Sequence, residues 1–302
     1  SLGNVLTNEK FPTCNASFKI HGMGRNNPVN SEITYKYGSI DGTLREFYAD
    51  GKLHSTTVYA NGSRNGPRLV YDTGGKVSDA MWYRNGKLDS VRVITVDGKI
   101  ESERWYRDDE QQGTATWFYP NGKTEITDNY KNDQRDGYFM YYSYNGELRF
   151  RLKYSDGFIV SYSYLSADSV FVPEIRLMSG NGAVKSWFRN GKLSAEFTFR
   201  NGYYDGVYTL YFPDGKVAKK SQYVSNDSQG AFTEYYPDGK LWKEENYADD
   251  EFNGTCRYYY ESGKLREQFQ YKSGKKHGDS LSYDSTGKLI RKINWYNDET
   301  ID

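Results

Sequence analysis

The sequence predicts an all-β fold, an elongated stack of antiparallel β-hairpins, and three observations predict it. A unit of 24 residues returns about eleven times: Gly206, Gly230, Gly254 and Gly278 are evenly spaced, and Gly42 to Gly66, Gly113 to Gly137 and Gly182 to Gly206 keep the interval. Counted from that opening glycine, position +5 is a ring in all nine regular copies (Phe47, Tyr71, Phe118, Tyr142, Trp187, Tyr211, Tyr235, Tyr259, Tyr283). Position +17 is a ring in all nine as well, from Tyr59 to Trp295. Position +9 is always glycine, followed by Lys in eight copies, with Glu147 the exception. A fixed period of this size marks a stacked repeat. A Gly-Lys corner between two ring-bearing runs marks a hairpin.

The elements follow in chain order. Residues 1–33 lie outside the period, and Asn26-Asn27-Pro28-Val29-Asn30 reads as a turn. This segment is expected to cap the first open edge, which a repeat stack has to cover. Residues 34–296 form the repeat domain. Within each unit the corner is defined by Pro120, Pro213 and Pro237, two residues before the glycine. Proline holds φ near −65°, so it suits the first centre of a type I turn and excludes type I′. The glycine then takes the left-handed place of a three-residue loop with a bulge.

That loop sets +5 opposite +11, and the reading carried forward is that +5, +11, +13, +15 and +17 share the buried face. The other face would carry +4, +6, +12, +14 and +16. It is mostly polar, with one ring column at +6: Tyr48, Tyr119, Phe188, Phe212, Tyr236 and Tyr260. One solvated face per antiparallel sheet produces this alternation. Two strands add about 10 Å per unit, and a twisted meander of eleven units can curl until its aromatic face becomes concave or closes on itself.

Two copies are irregular. Asp89 replaces the opening glycine of the third unit, while Gly98-Lys99-Ile100 keeps its phase. Residues 161–181 form a shortened unit without the Gly-Lys corner, read as a kink or as a specialised contact site. The tail, 297–302, is polar and expected to shield the last strand with Asp298, Glu299 and Asp302.

Composition narrows function. Lys plus Arg and Asp plus Glu number 40 each, with no basic face, which argues against nucleic acid and anionic lipid as partners. No stretch approaches the roughly 20 apolar residues of a membrane span. Tyrosine, with 30 copies, supplies rings that pack on one side and keep a hydroxyl at the wet edge. Cys14 and Cys256 lie at opposite ends of the chain and read as small packing residues.

Tyr271-Lys-Ser-Gly274-Lys-Lys-His277-Gly278, Tyr59-Ala-Asn-Gly62-Ser-Arg-Asn-Gly66 and Phe199-Arg-Asn-Gly202-Tyr-Tyr-Asp-Gly206 resemble MORN repeats. Tyr235-Tyr-Pro-Asp-Gly-Lys-Leu241 is similar to the bacterial MORN-variant branch, whose members often carry an antitoxin label. The resemblance covers residues 34–296. It implies a hairpin stack used for protein or membrane-associated contacts.

A search for chemistry finds little. His21, His54 and His277 have no His or Cys neighbour at metal-ligand spacing, so no metal and no cofactor is expected. There is no Gly-x-Ser-x-Gly, phosphate loop or His-Glu-x-x-His. The Gly-Lys pairs are turns, because a phosphate loop needs a following helix. The expectation is therefore a non-enzymatic scaffold holding a protein partner, with the +6 ring column as the contact strip. A carbohydrate or cell-wall ligand on rings such as Tyr235-Tyr236 and Tyr259-Tyr260 is the alternative, and an antitoxin or immunity role is the third reading. A cell-envelope or secreted setting is preferred over a cytoplasmic one.

Overall fold

Every regular element of the computed structural model, which describes residues 15–21 and 29–301, is a β-strand. Among these residues no helix is long and apolar enough to cross a membrane. The chain divides into two compact units, residues 1–136 and 137–302. In the N-terminal segment, strands Ala16–His21 and Val29–Lys36 pair antiparallel. Cys14 and the rest of that segment lie outside the described residues, as does Asp302. Cys256 is buried as a free thiol.

Each regular unit is a hairpin with the expected corner. In the copy opening at Gly206, Gly215 N–H donates to Phe212 C=O at 2.8 Å, closing a turn with Pro213 at its first centre. Gly215 has φ of +92°, and Phe212 N–H closes the loop on Lys216 C=O at 2.7 Å. Asp214 Oδ1 accepts from Lys216 N–H. The connection to the next unit is tighter. Its two central residues are both left-handed, as at Asn201-Gly202 and Asp249-Asp250. These are the primed two-residue turns that match the twist of paired strands.

The register corrects the expected faces. Tyr211 does sit opposite Val217, which is +5 opposite +11, but Leu210 then pairs with Lys219 and leaves Ala218 as a bulge. The same shift between +4 and +5 occurs in the other eight regular copies. A slip of one residue moves every later side chain to the other face. The inner face therefore carries +2, +4, +6, +12, +13, +15 and +17. The +5 ring and its +11 aliphatic partner lie on the outer face. Positions +13, +15 and +17 are where the sequence put them; +5, +11, +4, +6 and +12 are not.

In the first unit the inner face is part polar, and Ile33, Tyr83 and Leu88 are among the apolar side chains buried in that unit. Ser55, Thr57, Ser102 and Asp128 are buried beside Ala115 and Tyr119. In the second unit it is aromatic. Strands Gly137–Tyr142, Leu148–Ser155, Phe158–Ser163 and Ile175–Arg176 belong to one sheet. The strands from Gly182–Trp187 to Glu299–Ile301 form another. The two stack by their inner faces: the Phe150 and Phe197 rings lie 5.1 Å apart, and Tyr144 packs edge-on against Tyr236 and Trp242. Arg149, only 2% exposed, reaches across to donate to the carbonyls of Ser194 (3.0 Å) and Tyr211. The shortened unit is thus a corner that folds the ring face back onto itself.

Neighbouring units are stapled along both edges. The turn lysine donates to a backbone carbonyl of the next corner: Lys52 to Thr73, Lys76 to Asp97, Lys192 to Asp214, Lys264 to Thr286. On the opposite edge, a side-chain oxygen in each of several connecting turns accepts a backbone N–H from the preceding unit. Asn226 takes that of Tyr204, Asp250 that of Ser228 and Asp298 that of Lys276. Each such bond contributes about 0.5–1.5 kcal/mol.

Candidate interaction cleft at the irregular repeat

The six rings of the +6 column form no open strip. Tyr119, Phe188, Phe212 and Tyr236 are 4, 5, 5 and 6% exposed. Tyr48 and Tyr260 are half-buried. Three of them also staple units: Tyr48, Tyr236 and Tyr260 hydroxyls donate to the carbonyls of Tyr71 (2.6 Å), Tyr259 (3.0 Å) and Tyr283 (2.8 Å). The +12 bulge places +6 on the inner face and brings the +5 rings out, all nine of them half-buried.

The titratable clusters of the interior are closed. Asp128 accepts from Tyr130 Oη (3.0 Å) and Arg135 Nε (2.7 Å), and burial holds its carboxyl above the usual carboxylate range. Glu245 accepts from Tyr247 (3.0 Å) and Tyr258 (2.8 Å), and burial raises both phenols. His54 packs edge-on against Tyr48, and His277 lies against Tyr296. The His21 side chain lies outside the described residues. Among the described residues, no three His, Cys, Asp or Glu side chains are grouped to hold a metal ion.

An open concave site lies elsewhere, at the corner. Residues 158–163 run along the edge of the first sheet, and the chain loops back as Ile175–Arg176. Cross-strand register puts Lys153, Ser161 and Arg176 side by side on the outer face. From there Leu177 turns inward and is buried. Its carbonyl accepts Gly180 N–H (3.1 Å), and Met178 C=O accepts Asn181 N–H (3.0 Å). Gly180 C=O in turn accepts Gly202 N–H at 2.8 Å.

These bonds fix a wall beside the sheet and leave a cleft of about 880 Å³. Phe158 and Met178 line it, each 75% exposed, and Val160 lines it too. Two large apolar side chains held this far into solvent on hydrogen-bonded backbone are unusual, because an exposed apolar side chain forgoes about 1.5–3 kcal/mol of burial.

The polar side of the cleft is uneven. Glu174 accepts from Tyr138 Oη (2.7 Å) and Ser161 Oγ (3.0 Å), and Lys153 Nζ lies 3.5 Å away. The Tyr138 hydrogen bond leads in holding the Glu174 carboxyl below its ordinary value, and the same bond raises the Tyr138 phenol. Glu174 is thus occupied and its charge is met by Lys153. Arg176, exposed beside it, has no ion-pair partner among the described residues.

The sequence flagged 161–181 as irregular but did not single out Phe158, Val160, Met178 or Arg176. One signal was available. Phe158-Ile159-Val160 is an apolar triplet on a strand, where alternation lets only one side reach the core.

A family model described as "MORN repeat variant" matches residues 40–61, 111–132, 181–201, 204–225, 228–249, 252–273 and 276–297. No curated protein matches this chain. Among solved structures, one described as "Crystal Structure of TcdB2-TccC3-Cdc42" aligns at 12% identity over 91% of this chain and 18% of its own, with a TM-score of 0.18. A second, "Crystal Structure of TcdB2-TccC3", aligns at 13% over 93% of this chain and 17% of its own, with a TM-score of 0.19. The chain spans less than a fifth of either, and superpositions of that quality carry no argument about role.

Proposed function

Because this chain belongs to the MORN-repeat-variant family, as matches over seven segments show, we propose that it is a non-enzymatic repeat scaffold that holds a protein partner at the corner cleft. The observation that supports this is the pair Phe158 and Met178, exposed together on a pinned backbone. Anchor side chains of this kind, ringed by polar groups, carry most of the energy in protein interfaces. A wall fixed in advance lowers the ordering cost of association. The test is binding of a purified candidate partner by calorimetry, to wild type and to Phe158→Ala/Met178→Ala. Loss of at least tenfold in affinity with unchanged thermal unfolding supports the reading. Equal affinity removes the cleft from it.

The outer face supports a second reading. Trp187, Tyr211, Tyr235, Tyr259 and Tyr283 stand one per unit, each opposite an aliphatic +11 side chain. Half-buried rings at a regular pitch of about 10 Å suit a polysaccharide laid along the stack. Glycan-array binding that disappears in Tyr235→Ala/Tyr259→Ala would favour it; no glycan retained by wild type would end it.

A further inference from the structure

We propose that the corner cleft selects an acidic peptide segment, one whose large apolar side chain has a carboxylate as a near neighbour. This rests on the cleft being the partner site. The apolar half of the recognition is Phe158, Val160 and Met178. The charged half follows from the balance of the three ionic groups that line the cleft.

The charge of Glu174 is met within the cleft. Its oxygens take the Tyr138 and Ser161 hydroxyls, and Lys153 lies within ion-pair distance. Lys153 and Glu174 cancel. Arg176 remains, and the cleft therefore presents one net positive charge. The cross-strand pairing of Arg176 with Ser161 places that charge on the same face as the Lys153–Glu174 pair. The guanidinium thus stands at the side of an apolar surface.

A guanidinium offers a planar fork of donors that matches a carboxylate, and the pair strengthens as apolar contact removes water around it. A basic segment would meet Arg176 with like charge and would find at Glu174 a carboxylate whose charge Lys153 already balances. A neutral apolar segment would leave the guanidinium covered without a partner. Charge complementarity therefore favours an acidic segment over both alternatives.

The experiment uses the full chain and an arrayed peptide library with one fixed apolar position and varied neighbours. Wild type is expected to retain peptides with Phe, Leu or Met beside Asp or Glu. Affinity for the best of these, measured by fluorescence anisotropy, is expected to fall about tenfold or more in Arg176→Gln, as for loss of a charge-assisted hydrogen bond. Arg176→Glu is expected to move the preference to Lys and Arg. Phe158→Ala is expected to weaken all peptides alike. Arg176 is exposed, and unchanged thermal unfolding of its variants verifies that the fold is kept. Retention of peptides without a carboxylate preference, or an Arg176→Gln variant that binds as wild type does, overturns the acidic selection while leaving the cleft as an apolar site. Failure of wild type to retain any peptide overturns both.

Discussion

Gly180→Ala probes the corner on which the second unit depends. Gly180 has φ of +70°, and a Cβ built there would lie 2.6 Å from the nitrogen and 2.8 Å from the Cα of Gly202. Both are backbone atoms, fixed by the Gly202-to-Gly180 hydrogen bond, so no side-chain rotation relieves the contact. The left-handed conformation alone costs an L-residue about 1–2 kcal/mol. Forcing an added methyl into a filled space adds about 1–3 kcal/mol. The expected loss is about 2–5 kcal/mol as the sum of those two. Gly191→Ala is the control, because Gly191 has φ of +79° with nothing within 4 Å of its would-be Cβ. It should lose only the conformational part. The assay is urea unfolding followed by circular dichroism, with midpoints compared at constant slope. If the two variants unfold at the same midpoint, the close approach of the two turns is not a constraint and the account of the corner is wrong.

Three further outcomes are expected. Tyr236→Ala should cost about 3–5 kcal/mol as a buried ring, and Tyr235→Ala well under half of that; chemical denaturation showing the reverse order would restore the faces first read from the sequence. Lys264→Met removes a single unit-to-unit staple and should cost about 0.5–1.5 kcal/mol, measured as a shift in the same midpoint. The third concerns pH. Burial pushes the Tyr130 and Tyr236 phenols up to about 12, above the value of about 10 for the unfolded chain. Their contribution is complete below the unfolded value and is lost as pH rises through the folded one. The part of the tyrosinate absorbance that Tyr236→Phe removes should therefore rise together with loss of strand ellipticity, and Tyr236→Phe should move that transition to higher pH. Ionisation of that part well before unfolding would contradict the burial of the Tyr236 hydroxyl.

Much of this architecture could be read from the chain, and the misreading has a definite origin. The 24-residue spacing, the Pro-Asp-Gly-Lys corner and the opposition of +5 to +11 follow from glycine and proline conformations, which are local. The bulge at +12 is not local. It arises where the second strand has to pair with its own hairpin partner and with the next unit, and Ala218, Ser194 and Arg149 have nothing in common that announces it. A clue was present in the +2 column. Phe139, Val184, Tyr208 and Phe232 belong with the core, and the first register assigned this column to neither face. The lysine column was equally plain in the sequence, but its acceptors are carbonyls 21 or 22 residues away, which become neighbours only on stacking. The cleft was harder still. It depends on how residues 177–181 leave one sheet and enter another, and only the triplet Phe158-Ile159-Val160 hinted at it.

The staples between successive hairpins from Gly206 onward have a consequence for how such a chain can vary. The junctions draw on one small set of donors and acceptors, each using part of it, so a whole hairpin could be duplicated or deleted by recombination and the cut ends would meet similar neighbours. Length along that stretch is then a cheap variable, open to drift or selection. The corner at 177–181 has no second copy, and a gene that lost it could not recover it by copying from elsewhere in itself.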